Sequence, residues 1–225
     1  MMQPPSPTLL IAAANTYVGW GEDSGGVESG RLAQRSAFVE WLLREVHADL
    51  HDKTPVPWHT AFIHHLGYWS HFDHLYGASS WPLPATASPV KLAGYATERG
   101  VLRDEPEDGD IFLLWAPVKR QFVRAGIVLD ARDFGQSFHG HAWQECVTIE
   151  ANTDECCSAD GGLILRRVRR LSVEMGDRFI RWSELDVRAE RMAGFIRRGC
   201  ERADENEMAE AEMRASGLLP RVPWP

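Results

Sequence analysis

Five histidines crowd one stretch of the chain: His59, His64, His65, His71 and His74. Imidazoles at such density suit either a metal centre or acid–base chemistry near neutral pH. Their spacing argues against a metal. No pair has the i,i+4 separation of an HExxH helix, although His71 and His74 are three apart, and a closed zinc site needs four convergent ligands. Helix-surface histidines are the expectation, with no metal and no cofactor.

The thiols are few: Cys146, Cys156, Cys157 and Cys200. No CxxC pair occurs, so neither a zinc knuckle nor a disulfide framework is indicated, and the cysteines are read as reduced. Cys146, beside Val147 and Ile149, reads as core. The segment Asp154-Glu155-Cys156-Cys157 reads as a turn with incidental cysteines, because vicinal disulfides are strained. The chain has nine tryptophans. Some of them, such as Trp20, Trp58, Trp69, Trp81 and Trp115, could line a groove that stacks on sugar rings, but most are expected in the core. Alternation puts the arginines of Arg166-Arg167-Val168-Arg169-Arg170 on both faces of a strand. A solvated edge strand is expected, with contact to an anionic glycan as the sharper reading.

These groups sit in an ordinary globular composition. Of 225 residues, 44% are hydrophobic and 25% charged, which bounds the chain to one sizeable core with an appendage. A net charge of -8 and a pI near 5.6 set nucleic acid aside as a partner. No apolar run approaches the roughly 20 residues that span a membrane. Residues 9–14 are apolar but too short for a signal peptide and lack a basic flank. A cytoplasmic location is expected, unless a phage-type or non-classical route exports the chain.

The elements that must position the candidate residues follow from periodicity. Residues 1–28 are rich in Pro, Gly, Ser and Asn and are expected to wrap the surface. Leu32, Val39, Leu42, Leu43 and Val46 fall at helical spacing, predicting a helix from Ser29 that stops before the prolines Pro55 and Pro57. A second helix is predicted from residues 58–60 towards Tyr76, then a loop over 77–90. A short helix follows, with Pro89 in its first turn and Gly100 at its end. Residues 111–115, 122–129, 143–151, 163–168 and 178–182 read as strands, with turn chemistry at Asp108-Gly109-Asp110 and over 152–162. Helices first and strands after predict an α+β fold, an antiparallel sheet packed on helices. Beyond Ser183 the pattern is helical again, with Met192, Phe195, Ile196, Met208 and Met213 as its sparse apolar positions. The chain therefore divides into 1–28, 29–182 and a tail over 183–225 that packs on its own domain or serves as a docking arm.

Three local motifs occur within this order. They are Pro57-Trp58-His59-Thr60-Ala61-Phe62-Ile63, Gly109-Asp110-Ile111-Phe112-Leu113, and the pair Val123-Arg124-Ala125-Gly126-Ile127-Val128 with Thr148-Ile149-Glu150-Ala151-Asn152-Thr153. Together with Arg178-Phe179-Ile180-Arg181-Trp182 they resemble the CHAP and NlpC/P60 group of papain-like cysteine peptidoglycan hydrolases. The resemblance covers residues 15–182. It implies a cysteine at the start of the buried helix, activated by the helix dipole, with a histidine base on a nearby strand and an acidic or amide residue orienting it. Here the cysteine position holds His59 and the histidine position holds Arg124, while Glu150 and Asn152 keep the polar positions. Nucleophile and base are both replaced.

Arg124 stays protonated and cannot act as a base. If 122–129 and 143–151 form a hairpin centred near Ser137, Arg124 falls opposite Glu150 and the two are expected to form an ion pair. His139 and His141 then lie at the far end, on the order of 20 Å away at about 3.3 Å per residue, too far to serve as replacement bases. The resemblance thus implies an inactive CHAP-like module that binds peptidoglycan or a peptide in a groove lined by Trp58, Trp115, Glu150 and Asn152, with a protein contact through the C-terminal helix. Two alternatives stand beside it. One is an active amidase or endopeptidase using His59 and Glu150 or a metal; the other is a structural component of a phage-like or secretion assembly.

Overall fold

The first helix, α1 (Pro7–Thr16), forms inside the stretch expected to be loop. Pro7 at its start has a φ already suited to a helix. Leu10 and Ala14, one turn apart, are fully buried. So α1 belongs to the core, and the expectation that 1–28 only wraps the surface is corrected over this helix. The computed structural model describes residues 6–20, 37–46, 57–73, 78–79, 81–138, 141–153 and 162–185. Met1–Leu185 form one compact unit and Asp186–Pro225 a second. The expected tail helix lies outside the described residues.

Helix α2 (Ala37–Glu45) buries Val39, Leu42 and Leu43. The expected start of this helix at Ser29 lies outside the described residues. Helix α3 (His59–Ser70) begins where expected but stops well before Tyr76. The chain turns at His71 and enters a short ladder of β1 (Phe72–Asp73) with β2 (Ala78–Ser79). Gly67 is required in α3, because a Cβ there would stand 2.2 Å from the ring of Trp81. Helix α4 (Pro89–Glu98) matches its prediction: the Ser88 hydroxyl accepts the Lys91 N–H, and Gly100 adopts a φ of +66° just past its end.

The remaining strands are β3 (Leu102–Arg103), β4 (Ile111–Ala116), β5 (Gln121–Phe138), β6 (His141–Thr153), β7 (Leu163–Leu171) and β8 (Arg178–Ile180). They form one six-stranded antiparallel sheet in the order β3-β8-β4-β5-β6-β7. The fold is α+β. Strands β5 and β6 run much longer than their apolar patterns, since their far ends pair over polar sequence. No helix among the described residues is long and apolar enough to cross a membrane.

Alternation divides the sheet into two faces. Ala125, Ile127, Ile149 and Ala151 face the helices and share one core with Leu10, Leu42, Phe62 and Leu66. The other face holds a smaller cluster of Phe112, Val128, Cys146, Leu171 and Phe179, one residue from each of five strands. Cys146 is a buried free thiol, as read from sequence, and burial pushes its pKa up to about 11. Asp177 ties this second layer together. Its carboxylate accepts the Trp115 N–H of β4 and the Ser172 N–H following β7, both at 2.9 Å.

Candidate functional site

Arg124 and Glu150 belong to the second face of the sheet. Arg124 pairs with Leu114 across β4–β5, in phase with Phe112, and Glu150 lies two residues beyond Thr148 on β6. The two side chains meet: Arg124 Nη1 donates to Glu150 Oε2 at 3.1 Å. The ion pair expected from sequence is present. Glu150 is wholly buried, with an exposure of 0%.

A third partner completes the cluster. Arg169 on β7 pairs in register with Cys146, which puts it on the same face. It grips the Glu150 carboxylate with two bonds, Nε to Oε1 at 2.5 Å and Nη2 to Oε2 at 2.6 Å. The Thr148 hydroxyl donates to Oε1 at 3.0 Å. Each carboxylate oxygen therefore takes two donors, which fills the four lone-pair sites an ionised carboxylate offers. Burial alone would push this carboxyl up. The bonds and charge of Arg169, then the charge of Arg124, override it and hold Glu150 below the ordinary range.

Asn152 has a backbone reason for its place. The β6–β7 register shifts between Glu150 and Thr153, and Asn152 within that shift has a φ of +56°, a conformation asparagine tolerates better than most residues. The extra residue returns Thr153 to the face of Glu150, where its hydroxyl accepts a second Arg124 bond at 3.2 Å.

His59 is placed differently. It opens α3, whose apolar side packs on the opposite face of the sheet, and it is buried. Its Nε2 and the neighbouring Thr60 hydroxyl have no hydrogen-bond partner among the described residues. Burial first, then the positive charge of Arg124 partly offset by Glu150, push the His59 pKa down to about 3. The imidazole is neutral at physiological pH, and Arg124 and Glu150 act on it through their fields, with no bond to it among the described residues.

Other candidates fall away from this cluster. Trp58 is a core residue whose ring meets Phe38 and Phe62, and Glu150 and Asn152 are also buried. Of the four residues assigned to a groove, only Trp115 presents surface, leaning on Phe122 with ring centroids 5.1 Å apart. The expectation of helix-surface histidines is likewise corrected. His59, His65 and His71 are buried, because α3 is covered on most of its circumference by α1, α2 and the sheet. Among the described residues no group of three His, Cys, Asp or Glu side chains could hold a metal. His74, His139, Cys156, Cys157 and Cys200 lie outside the described residues.

Sequence reasoning missed Arg169. The edge-strand reading of the arginine run holds, since β7 closes the sheet and Arg166, Val168 and Arg170 are exposed. The alternate residues point inward, and a buried acid on the adjoining strand was the signal that one of them would be recruited. Comparison of the chain with protein-family models, curated proteins and solved structures found no match.

Proposed function

We propose that this chain is a papain-like, CHAP-like domain without hydrolase chemistry, acting as a binding or assembly module for peptidoglycan or a peptide partner. One observation carries the reading: the carboxylate at the orienting position is saturated by two arginines and a threonine. In a working triad that carboxylate would hold an imidazole. Here Arg124 takes the place of the base and has no proton-accepting form. The reactive alternative, with His59 and Glu150 as an acid–base pair, would require breaking four hydrogen bonds at Glu150 and joining two residues that share none. The buried cluster supplies no reacting group, and contacts that bind a substrate elsewhere on the domain can persist without the groups that react.

The experiment is muropeptide release from purified peptidoglycan, with pelleting measured alongside, for the wild type and a His59→Cys/Arg124→His double variant. The expected result is no release by the wild type with protein retained in the pellet. Release by the wild type would overturn the loss of chemistry. Absence from the pellet would overturn the cell-wall ligand and move the search to peptide partners.

A further inference from the structure

Away from the Glu150 cluster, two sets of three tryptophans contrast in exposure. Trp58, Trp81 and Trp182 are buried, whereas Trp20, Trp41 and Trp69 are 54%, 43% and 46% exposed. The exposed three come from separate elements: the turn after α1, the middle of α2 and the end of α3. A chain of ring contacts joins them. Trp20 meets Phe38 at 5.7 Å, Phe38 meets Trp41 at 6.3 Å, Trp41 meets His65 at 4.5 Å, and His65 meets Trp69 at 6.5 Å.

Glu45 sits among these rings. Its Oε1 accepts the Trp69 indole N–H at 2.9 Å, and its Oε2 lies 2.9 Å from His65 Nδ1. The other imidazole nitrogen, Nε2, faces the Tyr17 hydroxyl at 3.2 Å. An ionised carboxylate only accepts, so His65 Nδ1 carries a proton and donates it to Glu45. Burial pushes the Glu45 carboxyl up, but the bonds from His65 and Trp69 win and hold it below the ordinary range. Its donors are the His65 and Trp69 ring N–H groups, and among the described residues no lysine or arginine pairs with it.

An ionised carboxylate ringed by exposed indoles has a specific complement. Aromatic faces carry negative potential, so the rings and the carboxylate attract the same kind of ligand. A sugar ring would use the indole faces and leave the charge unanswered. An apolar segment would bury the carboxylate without a counter-ion, at a cost.

We infer that the surface of Trp20, Trp41 and Trp69 around Glu45 binds a peptide segment through a lysine or arginine side chain. Glu45 supplies the counter-charge, Trp41 and Trp69 supply the faces the cation packs on, and the Tyr17–His65 bond holds the carboxylate in place. This site uses none of the residues of the Glu150 cluster and stands whether or not the chain binds peptidoglycan.

The test follows the indole N–H signals of the full-length protein by NMR during titration with an alternating Lys-Gly hexapeptide. The norleucine analogue and a soluble N-acetylglucosamine tetramer serve as comparisons. The expected result is that the lysine peptide shifts the Trp41 and Trp69 signals, and that Glu45→Gln or Trp41→Ala weakens this at least tenfold. Trp41→Ala, at an exposed position, keeps the test readable should Glu45→Gln disturb the fold. Equal shifts by the norleucine peptide would show apolar docking and overturn the proposal. Shifts by the sugar alone would make the surface a glycan platform, and no shift at all would leave it without a ligand; either result overturns the inference.

Discussion

Arg124 and Glu150 meet diagonally across the β5–β6 pair, Nη1 3.1 Å from Oε2. Ile127 stands opposite Ile149 and Val128 opposite Thr148, a register that carries Arg124 two residues past Glu150. A hairpin centred near Ser137 would have set the two directly opposite, but Ser137 pairs with Ala142 and the ladder shifts register twice on the way. The pair survives the error because side chains alternate with period two. An even offset keeps both on one face, and an arginine reaches a diagonal neighbour.

Breaking this cluster from one side is expected to be costly. Glu150→Gln leaves two buried or half-buried guanidinium groups without their carboxylate and should destabilise the protein by about 3–5 kcal/mol. The triple variant Arg124→Met/Glu150→Leu/Arg169→Met removes all three charges together and should recover most of that loss. Urea denaturation of the variants compares the two. A triple variant no better than Glu150→Gln would mean that packing, not charge, dominates the site.

The burial of His59 gives stability a pH dependence. Its folded pKa of about 3 lies below the unfolded value near 6.5, so below that value the unfolded chain binds a proton the folded chain refuses. Its contribution is present above pH 6.5 and declines as pH falls from there towards about 3, by about 1.4 kcal/mol per unit. His59→Leu removes the titration and the orphaned Nε2. Its advantage over the wild type should therefore grow between pH 7 and pH 5, as read by thermal melts at each pH. Parallel curves would show that His59 does not titrate in this range.

His71 anchors the start of α1. Its Nε2 accepts the Ser6 N–H and its Nδ1 donates to the Gly67 carbonyl, both at 3.0 Å, while its ring packs against Trp182. His71→Phe keeps the ring and leaves Ser6 without its acceptor, which should cost about 1–3 kcal/mol. The loss should be local: hydrogen exchange over residues 6–16 should rise more than exchange in the sheet. A uniform increase would count against an anchoring role.

Gly67→Ala tests the close approach of α3 and Trp81. The added Cβ would overlap the indole at 2.2 Å, so the ring or the helix must move. A destabilisation of about 1–3 kcal/mol is expected despite the better helix propensity of alanine, together with a change in the near-ultraviolet circular dichroism of Trp81 and Trp182, whose rings lie 4.6 Å apart. A gain in stability would show that the ring has room to yield.

What could be read from the residues alone was local. Spacing of apolar positions located α2, proline and glycine punctuation marked α3 and α4, and apolar runs marked five strands of the six-stranded sheet, missing the two-residue β3; the assumed hairpin brought Arg124 to Glu150. The Pro- and Gly-rich start of the chain concealed α1, whose ten residues bury only Leu10 and Ala14 fully and so leave a weak pattern.

The tertiary structure decided the rest, because each remaining question depended on segments far apart in sequence. Arg169 reaches Glu150 only because β7 adds to β6 in a register that the sequence between them does not reveal. His59 and His65 of α3 are buried because α1 and α2 cover a helix side that sequence spacing left open. The same packing sorted the tryptophans, sealing Trp58 beneath Phe38 and leaving Trp20, Trp41 and Trp69 exposed around Glu45. Periodicity tells a side chain which face of its own element it occupies. Only the assembled layers determine whether another element lies over that face.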